Sequence, residues 1–424
     1  APMTGSATVT RSRPEPLAPF TTFHVGGPAR RLSQVADPDA LVELLAARDP
    51  ADRARLLVLG EGSNVLIADR GLDCEVVVFR GGDASAVAAD DGRITVPASA
   101  RWDDVVRAAV DAGLAGIESL SGIPGTVGGA VVQNAGAYGT ELAEVLAQVR
   151  VVDRTTLTER VLGVDECGFA YRTSRFKDPQ QPLLVLEAAL VLRPGGRHRP
   201  RYAELARRLA EVSGGADDYD PRVVREEVLR IRGAKNMLYV PDDPSTWTAG
   251  SFFTNPVVDA ARVEAIAAAA GVAPADVPQW PVDDPARRKL SAAWLIERAG
   301  FPRGYALGGA CLSPRHALAL SNRDGRGSAA DILRLAIRVA EGRLRRAARP
   351  RAAPARLHPG GARPPRLSGA LATFLARPLR PPAPPAPRTG PDASGCRRAG
   401  ASGTRCRSHA SRPGPGSRTR ASAR

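Results

Sequence analysis

The chain contains 424 residues, 43% of them apolar, which is enough to fill the cores of two or three domains. Its net charge of +15 is uneven, because residues 342–424 hold 19 Arg, no Lys and one acid, Asp392, whereas the remainder is slightly acidic. No apolar run approaches the roughly 18 residues of a membrane span, and no charged start followed by an apolar stretch opens the chain. We therefore expect a cytoplasmic protein without a membrane partner. The five cysteines are odd in number and show no C-x-x-C spacing, which fits a reducing compartment better than a disulfide framework and does not indicate zinc, so no metal is expected.

Segments typical of strands and helices alternate from residue 20 to residue 341, which predicts a mixed α/β protein. Asp37-Pro38 is an N-cap followed by Pro at the first helical position, so a helix is predicted over 38–48. The apolar runs at 55–60 and 75–80 predict buried strands, and "WDDVVRAAVDAG" predicts a helix over 102–113. Later helices are predicted at 202–211, 221–232, 257–270, 289–299 and 328–341.

Changes in composition divide the chain into parts. Gly195-Gly196 and the basic run "RHRPR" behind it mark a boundary between two domains. The predicted parts are a flexible N-terminus at 1–19, a first domain at 20–196, a second at 197–341 and an Arg/Pro/Ala-rich disordered tail at 342–424.

Two glycine-rich segments are candidates for holding a phosphate. "SGIPGTVGGAVVQNAGAYG" covers 121–139, and "GEGSN" at 60–64 directly follows a predicted strand. Glycines let backbone N–H groups approach a ligand closely, and successive N–H groups in turns form anion-binding concavities that suit a pyrophosphate. Neither segment has the dinucleotide G-x-G-x-x-G spacing or the G-x-x-x-x-G-K-[ST] spacing of a P-loop. On the glycines alone, a purely structural role is equally open.

The stretch "TAGSFFTNP" at 248–256 places Ser251 before two of the nine phenylalanines of the chain. Taken alone, it reads as a strand that enters a turn, with Phe252 or Phe253 buried and Ser251 capping. The functional alternative is that the serine hydroxyl takes part in a reaction, that Gly250 leaves room for ligands, and that the phenylalanines exclude solvent.

Six motifs, in order, are similar to those of one enzyme family. The stretches "FTTFHVGGPA", "GEGSNVLIAD", "SGIPGTVGGAVVQNAGAYG", "FAYRTSRFK", "GSFFTNP" and "KLSAAWLIERAGF" resemble the UDP-N-acetylenolpyruvoylglucosamine reductase family over residues 20–341. The resemblance implies an FAD-binding domain of the PCMH/vanillyl-alcohol-oxidase type followed by a smaller α/β substrate-binding domain. It also implies non-covalent FAD, NADPH as co-substrate, and reduction of the enolpyruvyl group of UDP-N-acetylglucosamine-enolpyruvate to UDP-N-acetylmuramate for peptidoglycan synthesis.

The resemblance further implies roles for individual residues. Ser251 would give a proton to C2 of the substrate, and Arg172 would stabilise the negative charge that develops there. Contacts with substrate are implied for Tyr138, Tyr202, Lys235 and Asn255. Contacts with FAD are implied for Gly60, Glu61, Gly62, Ser63, Asn64, Ser121, Gly122, Pro124, Gly125, Gly128, Gly129, Asn134, Gly136 and Ala137. Without the resemblance, Arg172 would be taken for a member of a surface ion pair and Lys235 for a solvated charge.

One expected element is missing after the last predicted helix. The resemblance implies a strand with a Pro-Glu pair whose glutamate joins Ser251 and Arg172, but no acid occurs between Glu341 and Asp392. We favour an out-of-frame reading of a GC-rich gene, since Arg, Pro, Ala and Gly have GC-rich codons. The alternative is a genuine basic arm that binds nucleic acid or an anionic surface. Three hypotheses follow: an active reductase, an FAD-binding homologue that is catalytically impaired, or a protein that binds nucleic acid or a surface through the arm.

Overall fold

The computed structural model describes residues 9–11, 14–85 and 91–347. Its strands are β1 (Val9–Arg11), β2 (Glu15–Pro16), β3 (Pro28–Val35), β4 (Leu57–Leu59), β5 (Leu72–Phe79), β6 (Arg93–Pro97), β7 (Leu114–Ala115), β8 (Gly136–Ala137), β9 (Thr140–Glu141), β10 (Leu146–Asp153), β11 (Glu159–Gly163), β12 (Leu183–Val191), β13 (Arg193–Pro194), β14 (Thr248–Ser251), β15 (Val257–Asp259), β16 (Gln279–Pro281), β17 (Arg287–Leu290), β18 (Ala306–Leu307), β19 (Ala310–Leu312) and β20 (Ala319–Asn322). Its α-helices are α1 (Pro38–Ala46), α2 (Pro50–Arg55), α3 (Trp102–Asp111), α4 (Val127–Gln133), α5 (Ala203–Ser213), α6 (Pro221–Ala234), α7 (Ala260–Ala270), α8 (Ala292–Arg298) and α9 (Ala329–Ala347).

The first half of the chain forms two main sheets around one apolar core. One sheet has the order β1-β3-β5-β4 with β2 on β3, and the strands β3, β5 and β4 are parallel. The other is antiparallel with the order β11-β10-β12-β6. The core joins strands of both sheets to α1, α3 and α4. Trp102 is fully buried in it and donates its indole N–H to the carbonyl oxygen of Leu120 at 3.1 Å, so the ring leaves no unpaired polar atom.

The helix start at the Asp37-Pro38 pair was predicted correctly. The Asp37 carboxylate accepts hydrogen bonds from the backbone N–H groups of Asp39 and Ala40, and α1 begins at Pro38. A second pair, Asp49-Pro50, begins α2, and α2 takes the first residue of the strand expected at 55–60. That strand is therefore reduced to β4, while β5 and α3 lie close to their predicted positions.

Two predicted helices were wrong at their N-terminal ends. The segment 257–270 begins with β15 and the segment 289–299 begins within β17, and these two strands pair antiparallel. Helices start only at Ala260 and Ala292, the latter after Ser291, whose hydroxyl accepts a hydrogen bond from the Trp294 N–H. Strands of three or four residues are too short to show a period of two, so they read as extensions of the helices that follow them.

The predicted limits of order also need correction. Part of the N-terminus expected to be flexible is β-structure, because β1 and β2 both pair with β3 and Leu17 is fully buried. At the other end, α9 continues to Ala347 and thus extends into the segment predicted to be disordered from residue 342. The remainder of that predicted segment, 348–424, lies outside the described residues.

The second half of the chain contains the sheets β14-β20-β19-β18 and β15-β17-β16 and the helices α5 to α9. Its main apolar core contains Phe252, Phe253 and residues of α8, α9 and β20, but also Phe23, Val25 and Leu66 from the first 70 residues. The motif "FTTFHVGGPA" therefore packs into this core. None of the helices among the described residues has the length and apolarity that crossing a membrane requires.

Polar contacts join the same two parts of the chain. The Thr22 hydroxyl donates to the carbonyl oxygen of Thr248 at 2.6 Å, and the Asn322 amide donates to the carbonyl oxygen of Phe23 at 2.9 Å. The Asp69 carboxylate accepts hydrogen bonds from the N–H groups of Ala329 and Ala330, which begin α9. The residues before 70 thus hold the C-terminal helix, and the division at residue 196 stays a prediction.

Candidate active site

The two glycine-rich turns are in direct contact. The Glu61 carboxylate accepts a hydrogen bond from the N–H of Gly125 at 2.7 Å, and the Ser63 hydroxyl donates to the carbonyl oxygen of Pro124 at 2.8 Å. A Cβ added to Gly60 would lie 2.6 Å from the Thr126 hydroxyl. Burial raises the pKa of Glu61, with Arg101 opposing it from 3.3 Å. The segments 60–64 and 121–129 therefore form one surface. The sequence predicted each segment as a candidate site but not the contact between them.

Gly62 shows why this surface requires glycine. Its φ of 61° lies in the left-handed region, and an added Cβ would lie 2.1 Å from the carbonyl oxygen of Phe20. The N–H of Thr22 in turn donates to the carbonyl oxygen of Gly62 at 3.3 Å. The carbonyl group of Gly62 thus holds the turn 60–64 against Thr22 of the motif "FTTFHVGGPA".

The N–H groups of the two turns differ in availability. Among the hydrogen bonds of the described residues, none uses a backbone N–H of 60–64 as donor. In the segment 121–139 most backbone N–H groups already have protein acceptors. For example, the N–H of Gly122 donates to Asp103 and that of Gly128 to the carbonyl oxygen of Ala98. A turn with free N–H groups after the end of a parallel strand fits the pyrophosphate of a dinucleotide such as FAD. We expect 60–64 to supply most of the donors.

Two residues predicted to contact FAD have their side chains fully committed within the protein. Asn134 is 1% exposed and caps α4 with φ of 46°, its amide donating to Glu141 and to the carbonyl oxygen of Ala170. Its Oδ1 accepts a hydrogen bond from the N–H of Ala143. Ser121 is fully buried and donates to the carbonyl oxygen of Glu118 at 2.6 Å. A contact of either residue with FAD stays a prediction and would have to use the backbone.

Arg172 lies at the end of the glycine-rich run. Its guanidinium donates to the carbonyl oxygen of Asn134 at 3.2 Å and to that of Gly136, and a Cβ on Gly136 would lie 2.7 Å from Nη1. The Arg172 backbone has φ of 56°, which is uncommon for a residue with a side chain. In the part of the chain that the structure describes, no carboxylate pairs with this guanidinium. Its guanidinium is therefore held in place by backbone carbonyl groups rather than by an ion pair, with the Glu141 side chain nearby.

Two lysines add positive charge around Arg172. Lys177 donates its ammonium group to the carbonyl oxygen of Arg172 at 2.8 Å, and Lys289 lies 3.9 Å from the centre of the Tyr171 ring, which the Arg172 guanidinium also covers at 5.4 Å. Burial, followed by repulsion from Arg172, lowers the pKa of Lys177 to about 8 and also lowers the pKa of Lys289. Such a cluster favours an anion. Neither lysine was predicted as a site residue, although Lys177 ends the motif "FAYRTSRFK" and Lys289 begins "KLSAAWLIERAGF".

Ser251 is the last residue of β14 and is exposed. The pairing of β14 with β20 is irregular between Thr248 and Ser251, and Gly250 within this bulge has φ of 69°, with open space where a Cβ would lie. Gly250 is therefore required by the backbone conformation. Phe252 and Phe253 pack edge to face at 5.4 Å in the second core, so the expectation that they shield Ser251 from solvent was wrong.

Among the described residues, the Ser251 hydroxyl has one hydrogen-bond partner, His316, whose Nε2 lies 3.2 Å from Oγ. His316 was not predicted as a site residue, because 65 residues of sequence separate it from Ser251. Burial, then the charges of Lys235 and Arg232, lower the pKa of His316 to about 4. Ser251 and Arg172 make no direct contact with each other within the described residues.

The four residues predicted to bind substrate fall into three places. Tyr138 and Tyr202 meet edge to face at 5.6 Å, and burial raises the pKa of Tyr138 to about 12. Lys235 pairs with Glu204 at 2.5 Å, close enough to His316 to affect its pKa. The Asn255 Oδ1 accepts a hydrogen bond from the N–H of Ala292, so only its amide N–H groups remain available to a ligand.

Comparison with known proteins agrees with this arrangement. Residues 31–161 match the FAD binding domain family, and together with the reductases to which the chain is similar this defines it as an FAD-binding oxidoreductase. Residues 242–345 match the UDP-N-acetylenolpyruvoylglucosamine reductase C-terminal domain. The chain belongs to the UDP-N-acetylenolpyruvoylglucosamine reductase family. The predicted mixed fold, an FAD-binding domain followed by the reductase C-terminal domain, is thereby confirmed.

Individual relatives cover most of the chain. It is 44% identical over 344 residues to UDP-N-acetylenolpyruvoylglucosamine reductase of Thermobifida fusca, a match that spans 79% of this chain and 94% of that protein. The Nocardia farcinica reductase is 47% identical over 331 residues, 77% of this chain and 84% of its own length. Among solved structures, the crystal structure of the reductase from Thermus caldophilus has 28% identity and a TM-score of 0.52, over 78% of this chain and 96% of that one.

Proposed function

We propose that the chain uses NADPH to reduce the enolpyruvyl group of UDP-N-acetylglucosamine-enolpyruvate, giving UDP-N-acetylmuramate for peptidoglycan precursors in the cytoplasm. Family membership and the FAD-binding domain support the proposal. Bound FAD would take hydride from NADPH and pass it to C3 of the enolpyruvyl group. Negative charge then develops on C2 and its carboxylate, and the protein residues must stabilise that charge and protonate C2.

The observation that carries the proposal is the Arg172 guanidinium, which has no ion-pair partner among the described residues. Its guanidinium is held by two backbone carbonyl groups at the end of the glycine-rich run, so its orientation is fixed before substrate binds. Lys289 and Lys177 keep the surroundings positive. A preorganised cation next to a group that becomes more negative in the transition state stabilises that state more than the ground state. We assign Arg172 this role.

We assign Ser251 the protonation of C2. An isolated serine hydroxyl is a very weak acid, but an enolate carbon is strongly basic, so a well-placed hydroxyl can supply the proton. The bulge at Gly250 interrupts the pairing of β14 before Ser251, which pairs with Ala319 and is exposed while both following phenylalanines are buried. A rigid core thus supports an accessible hydroxyl.

Substrate binding is assigned to the remaining predicted residues. Tyr138 and Tyr202 form an aromatic pair whose charged neighbour Glu204 also pairs with Lys235, and the Lys235 ammonium suits the UDP diphosphate. Tyr202 precedes α5 and is half exposed, as a residue that folds over a bound nucleotide would be. Asn255 would contribute through its amide N–H groups. Each of these contacts awaits measurement.

A second candidate function is an FAD-binding homologue with slow turnover. The observation that favours it is that His316, and no described carboxylate, is hydrogen-bonded to Ser251. The chain also has no acid between Glu341 and Asp392 that could supply the glutamate which the family resemblance implies. A nucleic-acid-binding arm is a third possibility that concerns residues beyond 347. It predicts salt-sensitive DNA retention that disappears when the chain is ended at Glu341.

The proposal is tested by following the two half-reactions separately in Ser251→Ala. NADPH should reduce the bound FAD at the wild-type rate, whereas reoxidation by the enolpyruvyl substrate should slow by about 100-fold or more. Thr254→Ala, which removes an exposed hydroxyl from the same motif, is the control and should reoxidise normally. Equal reoxidation rates in wild type and Ser251→Ala reject the role of Ser251. A wild type that cannot be reoxidised by substrate, yet is reduced by NADPH, supports the second candidate.

A further inference from the structure

The contact between Ser251 and His316 is fixed by the strand pairing on both sides. Ser251 pairs with Ala319 at the start of β20, and His316 lies three residues earlier in the turn between β19 and β20. That turn is closed by hydrogen bonds from the N–H of Ala319 to the carbonyl oxygen of His316 and from the N–H of Ser313 to the carbonyl oxygen of Ala319. The imidazole is therefore presented to the serine by two rigid strands.

The turn is also tied to the strand that carries the serine. The N–H of Phe252 donates to the carbonyl oxygen of Leu318 at 2.8 Å, so the residue after Ser251 and the residue two after His316 are joined through the backbone. Phe252 and Leu320 lie in the same buried core. Small displacements of the turn would have to disrupt that core, which makes the 3.2 Å separation of Oγ and Nε2 a property of the fold.

We propose that His316 is a positioning residue for Ser251, with its Nε2–H donating a hydrogen bond to the serine Oγ. This inference rests on the proposed function, in which Ser251 is the proton donor. With Oγ accepting from the imidazole, the hydrogen of the hydroxyl points away from His316 and is available to C2 of the substrate. The same hydrogen bond strengthens as charge develops on Oγ.

The proton transfer from Ser251 to C2 needs no additional reactant except water. The O–H bond of Ser251 breaks and leaves its electron pair on Oγ, while the carbanion electron pair at C2 forms the new C–H bond. The Nε2–H of His316 stabilises the resulting alkoxide, which recovers a proton from a solvent water molecule. His316 keeps its own proton throughout and so acts through the serine.

The surroundings of His316 agree with a neutral, donating imidazole. Lys235, Arg232 and Arg303 bring positive charge towards it, and Glu204, which is paired with Lys235, brings the opposing charge. Cations disfavour the imidazolium form and favour an alkoxide at the neighbouring oxygen. The pKa of about 4 means that His316 is neutral at physiological pH and has a single ring N–H to place.

The test compares His316→Leu, which cannot donate, with His316→Gln, whose amide N–H can. In the full-length holoprotein, His316→Leu should slow flavin reoxidation by the enolpyruvyl substrate about 10- to 100-fold, with reduction by NADPH unchanged. His316→Gln should stay within a few-fold of wild type. Because the role acts through Ser251, adding His316→Leu to Ser251→Ala should cause no further loss. An equal loss in the Ser251→Ala background, or no loss in the wild-type background, overturns the inference.

A second measurement separates this inference from the proposed function. Nitrogen-15 NMR of histidine-labelled protein should show a neutral His316 ring protonated at Nε2, with a signal that shifts in Ser251→Ala and is assigned by its absence in His316→Gln. A ring protonated only at Nδ1 overturns the inference whatever the activity. If wild type fails to turn over substrate while Nε2 is protonated and responds to Ser251→Ala, the proposed function fails and the contact stands.

Discussion

Substitution of Asp69 tests whether the segment before residue 70 stabilises α9. Its carboxylate accepts hydrogen bonds from the N–H groups of Ala329 at 2.8 Å and Ala330 at 2.9 Å, and these residues begin α9. The contact spans 260 residues of sequence, so Asp69 caps a helix that belongs to the other half of the chain. Asp69→Ala removes both acceptors and a negative charge next to the positive end of the helix.

The expected cost follows from these two terms. Loss of an N-cap side chain costs about 0.5–2 kcal/mol, and an acid near a helix N-terminus contributes about 0.3–1 kcal/mol, which overlaps with the capping term. We therefore expect Asp69→Ala to lower the free energy of unfolding by about 1.5 kcal/mol. Amides in the first turns of α9 should exchange with solvent about tenfold faster, since about 1.4 kcal/mol corresponds to a factor of ten.

Asp37→Ala is the matched control. Asp37 also accepts hydrogen bonds from two backbone N–H groups, at 2.9 and 3.0 Å, but it caps α1 within its own part of the chain. Urea unfolding should show a loss of about 1 kcal/mol in this variant too. Hydrogen exchange followed by mass spectrometry should show faster exchange in α9 for Asp69→Ala alone. Unchanged exchange in α9 in Asp69→Ala, or equal acceleration there in both variants, would refute the account of this contact.

Three further predictions concern the cationic site, a buried carboxylate and a glycine turn. Arg172→Met should leave flavin reduction by NADPH intact and slow reoxidation by substrate about 100- to 1,000-fold; wild-type reoxidation contradicts the role of Arg172. The pKa of Glu75 is lowered because, although burial raises it, hydrogen bonds from Arg48 and Ser33 and nearby charges outweigh burial. The Glu75 carboxylate thus stabilises the fold above its unfolded-state pKa, and this stabilisation is lost as pH falls through the folded-state pKa. Glu75→Gln should therefore be about 2 kcal/mol less stable than wild type in urea at neutral pH, and this difference in stability should narrow in acid. A gap independent of pH contradicts this. Gly62→Ala should lose FAD, measured by flavin content. The control Gly113→Ala, at a glycine with φ of 74° and open space where a Cβ would lie, should lower the free energy of unfolding by about 1 kcal/mol and retain FAD. Flavin retention in Gly62→Ala contradicts the assignment of this turn.

Local signals explain which parts of the fold could be predicted from the sequence. Asp37-Pro38 specified a helix start because the cap and the first turn lie within four residues. The short strands β15 and β17 could not be separated from the helices behind them, because their pairing partner is about 30 residues away and only that pairing defines them.

The candidate site was predictable where one motif contains the chemistry and not where distant segments meet. Ser251 and Arg172 were found through their motifs, but the partner of Ser251 is contributed by a turn 65 residues later. Asn134 was assigned to FAD because it lies in a glycine-rich run, yet its backbone caps α4 and its side chain is hydrogen-bonded to Glu141 and to the carbonyl oxygen of Ala170. Hydrogen bonds between segments far apart in sequence leave no periodic signal, so structure is needed to assign them.

The most direct test of the central claim is the colour change of the wild-type protein under anaerobic conditions. Purified protein should carry FAD, lose its oxidised-flavin absorbance when NADPH is added, and regain it when UDP-N-acetylglucosamine-enolpyruvate follows, with UDP-N-acetylmuramate detected as the product. Protein that binds no FAD under any condition would contradict the account of the glycine-rich turns. Protein that is reduced by NADPH but not reoxidised by this substrate would contradict the proposed reaction.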